Sequence, residues 1–272
     1  QWLLGVPLII LLALLPVIKP PLITTTATNF GVVMATFAMT ALIAIGLNVV
    51  VGQTGLLDLG YVGFYAVGAY VVALLTSPAS PLWGSEDHGF FSGPWAWLAC
   101  VPLAIIITGI TGLVLGTPTL RVRGDYLAIV TLGFGEIVRL LADNLTDITN
   151  GASGLQGVLF PELGRSDKHP DGVFSVGNNS PTANYGVWWY WLGIVAVILV
   201  LIIIGNLERS RVGRSWVAIR EDEDAAEIMG VPTFKYKLWA FVIGAGIGGL
   251  SGAIYAGQVQ YVDPKAFTVI NS

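Results

Sequence analysis

The chain has 272 residues, of which 54% are hydrophobic and only 11% charged. A soluble domain carries roughly 25% charged residues, so this chain lacks the charge to cover a water-facing surface and reads as an all-α, polytopic transmembrane helical bundle. The formal net charge of −4 matters less than its distribution, and the single cysteine, Cys100 in an apolar run, excludes an intramolecular disulfide and a cysteine-based zinc site.

Crossing about 30 Å of hydrocarbon takes about 20 mostly apolar residues. The first candidate span is 2–18. It is not read as a signal peptide, because no basic region precedes it and Lys19-Pro20-Pro21 stands where small cleavage-site residues belong. Further spans are expected at 29–50, 55–76, 95–116, 126–142, 186–206 and 238–259, about seven in all. The third opens with GLLDLG, so its first turns are expected to be irregular; the fifth is short and carries charge. The whole reads as one transmembrane domain, 1–272.

Three ionisable residues fall in or near the spans. Such groups are costly in lipid and normally face protein or water. Asp58, in GLLDLG, either caps a helix start or meets a solute. Glu136 and Arg139 lie three apart on one helix face and can pair. The pair serves either as a polar lining for a solute path or as a structural lock. His88 and His169 lie in polar loops, and no metal-ligating set is visible. Segment 143–185 is rich in Gly, Asn, Ser, Asp and Pro, too polar to span, and is either a docking surface or a solvated connector.

A charged island follows at 208–237, which holds six of the 13 Lys and Arg residues. Placing it in the cytoplasm also places the N-terminus there. That side then collects Arg121, Arg123, Arg209, Arg211, Arg214, Arg220, Lys235 and Lys237, against Lys19, Arg165, Lys168 and Lys265 on the other. This bias fits the positive-inside rule and makes 143–185 external. Within the island, EDEDAAEIMGVP reads as a short helix over 222–230. Asp222 and Asp224 suit a helix N-terminus. Ala225, Ala226, Ile228 and Met229 supply an apolar face; Gly230 and Pro232 end the helix. Two turns are not stable alone, so the helix is expected to dock in a groove on another protein or to lie on its own membrane domain.

In the last span, GAGIGG at 244–249 matches a nucleotide-binding pattern, but no strand precedes it. Gly244, Gly248 and Gly252, spaced by four, instead form a smooth stripe for close helix packing. The chain contains no Walker A pattern, no G-x-S-x-G elbow and no H-E-x-x-H, so nothing in it points to an enzyme.

Asp224-Ala225-Ala226, three residues and then Gly230 resembles the EAA–G motif of ABC importer permeases, with Asp in the Glu position. Larger blocks are similar to the M-like branch of the Liv-type branched-chain amino acid permease family: GLLDLGYVGFYAVGAY at 55–70, LRVRGDYLAIVTLGFGEIVRLL at 120–141, ITNGASGLQGV at 148–158, RSRVGRSWVAIREDEDAAEIMGVPTFKYKLWAF at 209–241 and GQVQYVDPKAFT at 257–268. The resemblance implies an ABC importer permease fold in a bacterial plasma membrane. It also implies that residues 222–230 form the coupling helix for ATP-binding subunits. ATP would be bound by those partners, with no cofactor on this chain. A second permease subunit in a heterodimer and an extracytoplasmic substrate-binding protein complete the implied assembly, with membrane lipid around it and no nucleic acid. Family members continue with further spans, so Ser272 is expected to fall short of the full permease. A permease of the same family for urea, short amides or other amino acids is an alternative, as is an ion-coupled secondary transporter using Asp58 or Glu136. On the coupling reading, Ala226→Arg or a bulky residue at Gly230 is expected to uncouple ATP hydrolysis from transport.

Overall fold

A computed structural model of the chain describes residues 30–84, 89–120, 125–162, 172–175 and 185–267. The expected span 2–18, the basic turn with Arg121 and Arg123, and most of 163–184 lie outside these residues. In lipid a backbone N–H or C=O finds no water, and only a helix satisfies these groups within one segment. The apolar runs accordingly become helices. Helix α1, Phe30–Asn48, continues into one π turn, Val49–Gln53. Then come α2, Tyr61–Thr76; α3, Ala96–Thr119; α4, Asp125–Asn144; and the single turn α5, Thr146–Thr149. Helices α6, Tyr185–Glu208; α7, Arg211–Glu221; α8, Glu223–Ile228; and α9, Thr233–Val259, complete the set. Strands β1, Leu155–Gln156, and β2, Tyr261–Val262, form one antiparallel pair with Leu155 opposite Val262.

Among the described residues, four helices are long and apolar enough to cross a membrane: Phe30–Gln53, Ala96–Thr119, Gly186–Glu208 and Thr233–Val259. They coincide with four of the expected spans. The expected count of about seven is not confirmed: span 2–18 lies outside the described residues, and two others differ from the expectation. Residues 55–60 leave the helical path, so α2 has only 16 residues. Helix α4 has 20 residues but carries Asp125, Glu136, Arg139 and Asp143.

Helix α9 is the hub. Of its apolar window 67% is buried, against 28% for α3 and 33% for α6. It packs mainly on α3 and α2, while α1 packs on α6. The glycine stripe explains the close approach. A Cβ on Gly244 would lie 2.6 Å from Val50 Cγ2, and one on Gly248 3.2 Å from Phe64 Cβ. One on Gly252 would overlap the Tyr65 carbonyl oxygen. Buried polar groups pair across these contacts. The Tyr61 hydroxyl donates to the Gly244 carbonyl at 2.7 Å, Trp97 Nε1 to Ala253 at 3.2 Å, and Ser251 Oγ to Met39 at 3.1 Å.

At the end of the bundle where α2 and α9 finish, the polar segment folds back instead of floating free. Leu155 and Val158 are buried, and Val158 N donates to the Gln260 carbonyl at 3.3 Å. The Ser77 hydroxyl donates to the Gln156 carbonyl, and Trp189 Nε1 to Phe174 at 3.1 Å. Over its described residues, 143–162 and 172–175, the segment is therefore a cap packed on the bundle, not a solvated connector.

Candidate functional site

The charged island folds at the opposite end as a short platform. Ser210 opens α7: its side chain accepts a hydrogen bond from Val212 N at 3.1 Å. Gly213, Trp216 and Ile219 recur at helical spacing and are buried. Trp216 Nε1 donates to the Tyr236 carbonyl at 2.8 Å, which ties α7 to the first turn of α9. At Asp222 the backbone turns extended (φ −157°, ψ 110°), ending α7 and starting α8. Its carboxylate accepts from Ala225 N at 3.0 Å, an N-cap bond. Glu223 and Asp224 then fill the first turn of α8, where the helix dipole favours negative charge.

Helix α8 stops as the sequence implies. Gly230 takes φ +86°, its N–H bonds Glu227 O at 2.9 Å, and Val231 N bonds Ala226 O at 3.0 Å. This is a Schellman closure, which favours glycine at the left-handed position. The apolar face is divided differently from the expectation. Ala226 is 5% exposed and turns in against its own chain; Ala225 faces out. Ile228 and Met229 are 86% and 83% exposed, the highest values among the described large hydrophobics. Two apolar side chains stand clear of the chain on a ledge flanked by charge. Removing the cap tests this local design: Asp222→Ala is expected to weaken α8 by about 1 kcal/mol. Faster amide exchange confined to 224–229 is the readout, with the spans unchanged.

The platform is braced to the bundle by charged groups that sequence reading assigned only to orientation. Lys237, in α9, is 7% exposed and pairs with Glu223. The Arg220 guanidinium donates to the Gly52 carbonyl at 2.8 Å, and Gln53 Nε2 to Glu208. A cavity of about 280 Å³ lies among these contacts, lined by Gly55, Leu57, Leu127, Arg220, Asp224 and Lys237 among others. A signal for Lys237 was present. Lys237, Ala240, Phe241 and Gly244 share one face of α9, and that face is buried.

The intramembrane ionisable residues differ in setting. Asp58 is buried, and its Oδ1 accepts from Gly60 N at 2.9 Å. This closes a turn that ends at Gly60, immediately before α2, instead of capping the helix itself. Its other oxygen, Oδ2, is buried without a hydrogen-bond partner. Glu136 and Arg139 pair along α4, Nε to Oε2 at 3.0 Å, with 41% and 25% of their side chains exposed. A second cavity, about 500 Å³ between α3, α6 and α9, is lined by Ile105, Gly109, Leu113, Leu199, Ile203 and Ile247 among others. Its lining is apolar.

The sequence profile of the family described as "Branched-chain amino acid transport system / permease component" matches residues 29–272. The "High-affinity branched-chain amino acid transport system permease protein LivM" of Salmonella typhimurium is 41% identical over 250 residues, covering 88% of this chain and 55% of that protein. Its Escherichia coli counterpart of the same name is 40% identical over 250 residues, with the same coverage. A "Probable branched-chain amino acid transport permease protein LivM" of Methanocaldococcus jannaschii is 23% identical over 261 residues, covering 89% of this chain and 71% of that one. The chain thus spans about half the length of the first two relatives. No solved structure matches it. Sequence profile, relatives and apolar helices agree: this is a multi-pass membrane protein that belongs to the permease component family of branched-chain amino acid transport systems.

Proposed function

We propose that the chain is a permease subunit of an ATP-driven importer that moves leucine, isoleucine and valine across a bacterial plasma membrane. ATP is bound and hydrolysed on partner subunits that seat on α8. A second permease subunit completes the pathway, and an extracytoplasmic binding protein delivers the solute. The α7–α8 platform is then cytoplasmic, and the cap formed by 143–162 and 172–175 faces outside. The observation that carries this reading is the exposed pair Ile228 and Met229 on a short helix closed at both ends. An apolar ledge exposed among charged residues suits a groove on a soluble protein.

Uptake of labelled leucine into membrane vesicles tests the reading. Uptake is expected to require ATP on the platform side and the binding protein on the other, and to survive collapse of proton and sodium gradients. Uptake that follows an ion gradient without ATP overturns it in favour of a secondary transporter. Competition by urea or short amides, but not by isoleucine, moves the substrate to another branch of the family.

A further inference from the structure

We infer that Lys237 is a positioning residue for transport, and that its pair with Glu223 is the strut through which displacement of α8 moves α9. The inference rests on the docking role proposed for α8. Glu223 is the first residue of α8, and Lys237 lies in the second turn of α9, the most buried helix of the bundle. They are connected through the chain by Gly230, Val231 and Pro232, where the Schellman closure at φ +86° and the break at Pro232 form a joint. A joint of this kind transmits rotation poorly. The ion pair bypasses it.

Burial gives the strut its stiffness. Separating an ammonium that is 7% exposed from its carboxylate costs free energy, because the charge is then buried with less compensation. A shift of α8 therefore either takes Lys237 with it or exposes Lys237 to that penalty. Lys237 shares its helix face with Ala240, Phe241 and Gly244, all buried; Phe241 packs on Phe64 of α2, and Gly244 on Val50 of the π turn and the Gly46 carbonyl of α1. Movement at Lys237 thus reaches the seam where Gly244 meets Val50 and Tyr61. Arg220 steadies the end of α8 opposite that joint. Two residues before Asp222, Arg220 of α7 is held to the Gly52 carbonyl in the π turn that follows α1. The hinge at Asp222 lies between an anchor on that π turn and a strut on α9, so a push on α8 loads α9.

The test uses the transporter assembled with its partners in proteoliposomes and reads ATP hydrolysed per leucine moved. Lys237→Met and Glu223→Gln are each expected to keep the ATP-binding subunits bound and hydrolysing while that ratio rises at least about tenfold. The exchanged pair Glu223→Lys with Lys237→Glu is expected to bring the ratio back towards the parent value. A purely structural role would instead lower the amount of folded transporter and leave the ratio unchanged. Should Lys237→Met not fold, Glu223→Gln carries the test, because its side chain is about a third exposed. A parent ratio in Glu223→Gln, or an exchanged pair no better than the single variants, overturns the strut. ATP-binding subunits that remain bound after the α8 ledge is removed overturn the docking reading instead, so the two failures are separable.

Discussion

Gly252→Leu is expected to abolish accumulation of the folded chain. A Cβ at this position overlaps the Tyr65 carbonyl oxygen and lies 2.7 Å from Ala69 N, both backbone atoms of α2. Neither can rotate away, so α2 and α9 must separate, and α9 is the helix most of the core is built on. Overpacking typically costs 1–3 kcal/mol, and a backbone clash on the central helix belongs at or above the upper end. That is a large fraction of a marginal stability. The effect is graded along the stripe. At Gly244 the nearest obstacle is the Val50 side chain at 2.6 Å, and at Gly248 the nearest is Phe64 Cβ at 3.2 Å. Alanine at Gly248 is therefore expected to be tolerated best. Gly205 on α6, where a Cβ meets nothing within 4 Å, serves as the control for leucine. The readout is the monodisperse fraction after detergent extraction and its melting temperature. A Gly252→Leu chain that accumulates and melts like the parent would show that α2 and α9 do not meet along this stripe.

Much of this architecture was legible because it follows from pattern alone. Apolar runs of membrane length became helices at 30–53, 96–119, 186–208 and 233–259. Small residues spaced by four marked the tightest seam. The acid cap and glycine stop of α8 were readable, since capping is local chemistry. What stayed hidden depends on residues distant in sequence. The pairing of Leu155 with Val262 spans more than a hundred positions and has no periodic signal in two-residue strands. The braces joining Gly52 to Arg220 and Glu223 to Lys237 were likewise invisible, because a charge count gives sides of a membrane, not partners. Asp58, Glu136 and Arg139 stood out together on hydropathy alone. They differ in setting: Asp58 closes a buried turn, while the α4 pair is partly exposed.

The division of the α8 face decides which substitution isolates docking. Ala226→Arg was the natural choice on sequence, but Ala226 is buried against its own chain. An arginine there unseats α8 and disturbs the platform before any partner arrives. A bulky residue at Gly230 meets no neighbouring atoms within 4 Å, yet its φ of +86° strains any side chain, so it too acts on α8 itself. Ile228→Asp with Met229→Asp avoids both problems. These side chains are 86% and 83% exposed, so the free chain loses little by their change. In a docked complex they are the apolar anchors. Fully burying one such side chain is worth about 1.5–3 kcal/mol, and placing a carboxylate there instead leaves an unpaired charge at the interface centre. Docking is expected to weaken by a factor of at least about 100, on the scale of 1.4 kcal/mol per tenfold. ATP-binding subunits should then be lost on purification and leucine uptake should fall to background. Amide exchange in α7 and α8 and the level of inserted chain should match the parent, because the cap at Asp222 and the closure at Gly230 are untouched. Retained uptake in the double variant would place the ATP-binding partner elsewhere than on this ledge.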